Sequence, residues 1–211
     1  MKNFLVITIF ILVWGNAHPQ STDQTNDRQF LVDSLKRSYF LGTEKDLSLL
    51  VSMLKDEPNP DSMFKYANML IQESFKDSSH LMTYAGYLHF GNGFVKKGEL
   101  TKGLESYFQS MKYAEKADYE EGRGKVFVTI ADTYSQSENS QNAVIYYGKS
   151  IEILRNGKDS LGLAMAIFNA GDEYLNMKKL DSALLYTKEA QVIFDKVNYP
   201  IGDAYCFGNL G

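Results

Sequence analysis

Three histidines, one cysteine and an adjacent pair of glutamates are the side chains here whose types suit chemistry. Zinc chemistry needs three or four ligands converging on one point, and in sequence they usually come as close-spaced pairs. His18, His80 and His89 show no such spacing. His80 and His89 are nine residues apart, which on a helix turns them to different faces, and no cysteine pair accompanies them. Each is read as a structural or solvated imidazole. Cys206 stands alone and cannot close an internal disulfide. It lies in an apolar helical pattern, the setting of a buried, inert thiol. Gly91-Asn92-Gly93 has the glycines of a phosphate cradle, but no strand precedes it and no Gly-Lys-Ser/Thr follows. Glu120-Glu121 offers the two carboxylates that acid–base catalysis uses. It runs into Gly122-Arg123-Gly124, and the stretch reads as an exposed segment between repeats. Tyrosines such as Tyr113, Tyr146 and Tyr147 read as helix packing. The expectation is no catalytic residue, no metal ligand set and no cofactor.

The elements that would position such residues come from the wider pattern. Apolar residues make up 44% of the 211, enough for a core. The net charge of -4 argues against a nucleic-acid surface, which needs clustered Lys and Arg to displace counterions. Lys2 precedes an apolar run from Phe4 to Trp14, and Gly15-Asn16-Ala17 closes it with small residues. That is the layout of a cleaved export signal over 1–17, which predicts a periplasmic or extracellular protein. The run is far short of the roughly 20 residues a membrane helix needs, so membrane attachment would come only through a segment outside this chain. Residues 18–42 read as a polar leader to Asp27 and then a helix from Arg28, with Phe30, Leu31, Leu35 and Tyr39 on one stripe. Gly42 ends that helix and Thr43 is placed to cap the next.

From Lys45 the chain repeats itself. Tyr87-x-x-Phe90-Gly91-x-x-Phe94, Phe127-x-x-Ile130-Ala131-x-x-Tyr134 and Ile167-x-x-Ala170-Gly171-x-x-Tyr174 share one pattern at a spacing of 40. A further copy opens at Phe207-x-x-Leu210-Gly211. Gly103, Ala143 and Ala183 follow in the same register, as do Ser110, Ser150 and Ala190. Recurrent small residues let helix backbones approach, and large residues a turn away fill the remaining space. The short connections Lys97-Gly98-Glu99, Glu138-Asn139 and Met177-Lys178-Lys179 join antiparallel neighbours, and Gly98 is suited to a left-handed helix end. Each unit is thus a helical hairpin that buries its apolar faces only by stacking. The array spans 43–211: a degenerate unit at 45–83, units at 84–123, 124–163 and 164–203, and the start of another at 204–211. Gly211 falls inside a first helix, which predicts that the natural protein continues beyond it.

Ile167-x-x-Ala170-Gly171-x-x-Tyr174 followed by Ala183 resembles the tetratricopeptide signature, W-x2-L-G-x2-Y and then A-x3-F. The period of 40 in place of 34 is similar to that of kinesin light chain and of many bacterial signalling proteins. The resemblance implies an all-α, right-handed superhelix of stacked antiparallel hairpins. It also implies that the first helix of each unit lines a concave groove for a peptide or protein partner. The groove positions are then His89, Asn92 and Lys96; Thr129, Asp132 and Gln136; Phe168, Asn169, Asp172 and Asn176; and Tyr205 and Asn209. Asn169 and Asn209 precede the apolar-small pair, where an amide can both donate to and accept from a peptide backbone. Asp132 and Asp172 share a register and would make the groove locally acidic, favouring a basic ligand. The expected function is non-catalytic sensing or scaffolding. The alternative is the regulatory region of a membrane histidine kinase, nucleotide cyclase or transcriptional regulator, with its output domain beyond residue 211.

Overall fold

The computed structural model describes residues 22–42 and 46–210. The export signal expected at 1–17, the first leader residues and Thr43 lie outside them. The described residues form ten helices and no strand: α1 (Thr22–Leu41), α2 (Leu47–Asp56), α3 (Pro60–Lys76), α4 (His80–Lys96), α5 (Leu100–Lys116), α6 (Glu120–Gln136), α7 (Ser140–Leu154), α8 (Ser160–Asn176), α9 (Leu180–Lys196) and α10 (Pro200–Leu210). None of them is long and apolar enough to cross a membrane.

From α3 onward a helix begins every 20 residues. The rhythm is set by the turns. Ser78, Gly98, Asp118, Glu138, Lys178 and Asn198 are left-handed, each just past a helix end. The next N–H then reaches back five residues: Ser79 to Ser74, Glu99 to Phe94, Tyr119 to Ala114, Asn139 to Tyr134, Lys179 to Tyr174 and Tyr199 to Phe194, all at 2.9–3.0 Å. This closure satisfies carbonyls that the helix end would otherwise orphan, and its stabilisation carries five non-glycine residues into a disfavoured region. Helix starts are marked as well. Asn59, Ser79, Asn139 and Asp159 accept backbone N–H groups of the first turn. The rhythm fails once. α7 has 15 residues where its neighbours α5, α6, α8 and α9 have 17, and the turn after Arg155 lacks a left-handed residue.

Several boundaries differ from the sequence reading. α1 starts at Thr22, well before Arg28. The leader Thr22–Asp27 has no apolar stripe, but it also has no Gly or Pro, so the helix extends through it. Asp46 caps α2, accepting from the Ser48 N–H at 2.8 Å. The first helices begin at 80, 120, 160 and 200, four residues ahead of the unit boundaries at 84, 124, 164 and 204. The signature residues sit beyond the first turn, so boundaries drawn from them cut that turn off. Glu120 and Glu121 are correspondingly not between repeats but in the first turn of α6, where the helix dipole favours acidic groups.

The closest packing is within the hairpins α4–α5, α6–α7 and α8–α9. One buried cluster runs from Val32 through Leu50, Met53 and Leu70 to Ile130, and a second from Val128 through Ile167 to Phe194 and Cys206. Tyr134 and Tyr146 touch both, with their rings stacked at 5.5 Å. The core is therefore continuous along the stack. The small-residue columns do what their spacing suggests. A methyl added at Gly91 would sit 2.5 Å from the Tyr107 ring, and one at Gly93 would sit 2.9 Å from the Phe64 ring. Gly93, which falls outside the repeat column, is thus explained by the preceding hairpin. Tyr107 is buried and its hydroxyl is held by Asn92, so the ring has no free direction to move. Gly91→Ala is expected to cost about 1–3 kcal/mol. Gly148→Ala, on an exposed helix position with nothing within 4 Å, is expected to add about 1 kcal/mol. Urea unfolding of the two variants checks the contrast; equal midpoints would refute it.

Candidate binding face

First helices touch one another along the stack: α2 with α4, α6 with α8 and α8 with α10. No pair of second helices makes comparable contact. The polar side chains of α4, α6 and α8 are organised by hydrogen bonds that recur with the repeat. The Tyr107 hydroxyl donates to Asn92 at 2.7 Å, and 40 residues on the Tyr147 hydroxyl donates to Asp132 at 2.5 Å. Ser110 donates to the Tyr84 carbonyl, and Ser150 to the Gly124 carbonyl, both at 2.9 Å. In the third hairpin Thr187 and Ala190 stand where the tyrosine and serine stand in the first two.

Asp132 is the centre of this face. Its carboxylate accepts from Tyr147 and, at 3.4 Å, from the Asn169 amide of the next first helix. Glu173 of α8 is 3% exposed and accepts from the Ser135 hydroxyl of α6. Among the described residues no cation pairs with either carboxylate. Burial pushes the Asp132 carboxyl up to about 7; the bonds from Tyr147 and Asn169 work against that, and the nearby Glu173 charge adds to it. Burial first, then the Asp132 charge, raises the Tyr147 phenol well above its ordinary range. The Asn169–Asp132 and Ser135–Glu173 bonds tie α6 to α8, the first helices of adjacent hairpins.

The other predicted positions are scattered in environment. His89 is buried, and Lys96 is exposed and donates from Nζ to the Glu57 carbonyl at 3.3 Å. Thr129 bonds its own helix at the Val126 carbonyl, 2.8 Å away. Gln136 keeps a shielded Oε1 without a partner. The Phe168 ring lies 6.0 Å from that of Tyr205 and 6.5 Å from that of Phe194. Asp172 is half-buried and Asn176 exposed. Asn209 lies in α10, and its side chain is outside the described ones. The structure therefore brings Asp132 and Asn169 together, and separately Phe168 and Tyr205. Sequence reasoning missed Ser135, Glu173 and the two tyrosine hydroxyls. The signal was available for the tyrosines alone: Tyr107 and Tyr147 stand 15 residues after Asn92 and Asp132 in both units.

Among the described residues no group of three potential ligands gathers to hold a metal. Cys206 is buried, and burial raises its thiol to about 11, away from the reactive thiolate. An open crevice of about 720 Å³ lies where α7 stops early, lined by Phe127, Lys149, Glu152 and Gly157 with the first turn of α6. None of the predicted groove positions lines it.

No family model matches this chain. It is 31% identical over 114 residues to chaperone protein HtpG of Vibrio parahaemolyticus serotype O3:K6, and 29% identical over 114 residues to that of Vibrio campbellii. Those stretches cover 53% of this chain and 17% of each relative, so the chain spans under a fifth of the curated relatives it matches. Among solved structures it is similar to a Rap protein complexed with competence and sporulation factor, with a TM-score of 0.65, 10% identity and coverage of 88% of this chain and 48% of that one. It is also similar to the tetratricopeptide-like repeats of a putative kinesin light chain from Podosopora anserina, with a TM-score of 0.53, 13% identity and coverage of 82% and 77%. A third likeness is to BtubC (BKLC) from P. vanneervenii, with a TM-score of 0.57, 14% identity and coverage of 84% and 75%. Taken with the hairpin stack, these likenesses make the fold an all-α, tetratricopeptide-like solenoid of antiparallel helical hairpins.

Proposed function

We propose that this array binds a peptide or protein partner on the face made by its first helices, and that it senses or scaffolds without chemistry of its own. The observation that carries the reading is the contact of α2 with α4, α6 with α8 and α8 with α10, all first helices, which no described pair of second helices matches. A stack closer on one side bends toward that side, and polar groups there line a concavity. Asn92, Asp132, Gln136 and Asn169 supply amide and carboxyl groups at the repeat spacing of 40 or close to it. Such groups match the alternating donors and acceptors of an extended backbone. The Rap protein of similar fold was solved in complex with competence and sporulation factor, which is the kind of use this face suits. The apolar run after Lys2 supports an exported location, periplasmic or extracellular.

The test is selection of binders from a displayed random-peptide library against the folded array. Enriched peptides are expected to lose about tenfold in affinity with Asn169→Ala, the order of one or two hydrogen bonds. Lys112→Ala, on the exposed surface of α5, is expected to leave their affinity unchanged. If a folded array, checked by circular dichroism, enriches no peptide, the reading is lost.

A further inference from the structure

We infer that the outer face of α9 is a self-complementary docking surface, and that it pairs antiparallel with α9 of a second copy of this chain. The face belongs to a second helix, so it lies apart from the first-helix face and does not depend on the peptide-binding reading. The inner side of α9 is set by its buried residues Ala183, Thr187, Ala190 and Phe194. On the opposite side Leu185 is 64% exposed and Val192 51% exposed, two turns apart on one line. Leu184 and Leu180, both exposed, continue the apolar surface toward the start of the helix.

Stacking of a further hairpin does not account for this face. The places of Leu185 and Val192 in the repeat are held by Glu105 and Lys112 in α5 and by Ile145 and Glu152 in α7. All four are exposed, although each of those helices has another hairpin stacked after it. Neighbouring units thus leave these positions open to solvent, and in α5 and α7 three of the four occupants are charged. In α9 both are aliphatic. Large aliphatics seven residues apart on a solvent-facing line have the spacing of a helix-pair seam.

The charges beside the seam say what covers it. When two α9 helices run antiparallel about a two-fold axis between Lys188 and Glu189, Leu185 of each copy packs on Val192 of the other. Asp181 then meets Lys196, and Lys188 meets Glu189. Toward the helix ends Leu180 meets Val197, and Asp195 meets the neutral Ser182. Each favourable pairing occurs twice, because such an interface is isologous. A parallel pairing sets each residue against itself, Asp181 on Asp181 and Lys188 on Lys188, and is disfavoured by like charge. The charges are available for this use. Among the described residues no carboxylate lies within ion-pair distance of Lys188 or Lys196, and no cation lies within that distance of Asp181. Glu189 is held at 2.5 Å by Arg155, just past the end of α7, which steadies it beside the axis and leaves its second oxygen for Lys188 of the other copy.

Sedimentation velocity of the full chain over a range of concentrations tests the pairing. A reversible monomer–dimer equilibrium in roughly the micromolar range is expected, as suits an interface built on one helix pair. Leu185→Glu/Val192→Glu should be monomeric throughout, with an unchanged circular dichroism spectrum because both side chains are exposed. Asp181→Lys alone sets like charges against each other twice, and dimer affinity is expected to fall about tenfold. Asp181→Lys combined with Lys196→Asp in the same chain returns opposite charges to each contact and should restore the parent's affinity. A parent chain that stays monomeric at the highest concentration overturns the inference. So does a dimer that survives the double glutamate variant, or a double charge reversal that binds no tighter than the single one.

Discussion

Asp132→Asn is expected to stabilise the array at neutral pH by about 2 kcal/mol and to flatten its stability between roughly pH 4 and 7. The carboxyl is raised from its ordinary 3.8 to about 7, chiefly by burial. A carboxyl raised in the folded state keeps its proton there while the unfolded chain has lost it. Its contribution is therefore whole below about pH 4 and is lost as pH climbs through 7, where the folded state must carry a buried charge beside Glu173. One unit corresponds to about 1.4 kcal/mol, so the full shift sets a ceiling of about 4 kcal/mol. Part of the Asp132 surface reaches solvent, which reduces the expected gain to about half of that. The asparagine carbonyl still accepts from Tyr147 and Asn169, so the variant removes the charge and keeps the bonds. Urea unfolding at pH 4.5, 6 and 7.5 measures the effect. A variant whose stability falls with pH as steeply as the parent's would sink the assignment.

Phe194→Ala is expected to have the largest single effect on the fold, about 3–5 kcal/mol, and to have it locally. Phe194 is 1% exposed in α9 and packs against the Phe168 and Tyr199 rings. The backbone at Gly202 lies so close to it that an added methyl would fall 2.4 Å from the ring. Truncation leaves a cavity that α10 and α8 border together. In a stack held by nearest-neighbour contacts the damage stays near the lesion, so α8 to α10 loosen before α3 to α6. Amide hydrogen exchange resolved along the chain shows this as lost protection confined to residues after about 160. Uniform loss from end to end would mean that the array unfolds as one unit and would contradict the prediction. Because Phe168 belongs to the predicted binding face, the same variant should also lose peptide affinity at that end.

The helical stack is legible in the residues alone. The alternation of Gly91, Ala131 and Gly171 with Tyr107 and Tyr147 is a packing rule written within each hairpin, and a rule repeated three times is hard to mistake. Gly98 could be read as a left-handed turn because glycine carries no steric penalty there. Ser78, Asp118, Glu138, Lys178 and Asn198 could not, because the closure that holds them lies in backbone hydrogen bonds that no side chain announces. Helix starts were misplaced for a related reason. The first turn of each first helix carries none of the signature, so the repeat pattern begins after the helix does.

The site was less legible than the fold. Asp132 and Asp172 hold the same place in the repeat and read alike as groove acids. Tyr147 donates to the first, and Thr187 holds the corresponding place in the next unit, so a tyrosine hydroxyl bonds Asp132 and has no counterpart beside Asp172. His89 and Lys96 were placed on the face by spacing alone. That Lys55 acts on the same imidazole depends on how α2 meets α4, across more than thirty residues of chain. The architecture follows from the order of residues alone, because helix length, turn position and small-residue columns are local and periodic. Which polar groups are enclosed or paired follows from the packing of helices distant in the chain. Burial and charge at a side chain are set by neighbours on other helices, and a one-dimensional repeat does not specify them.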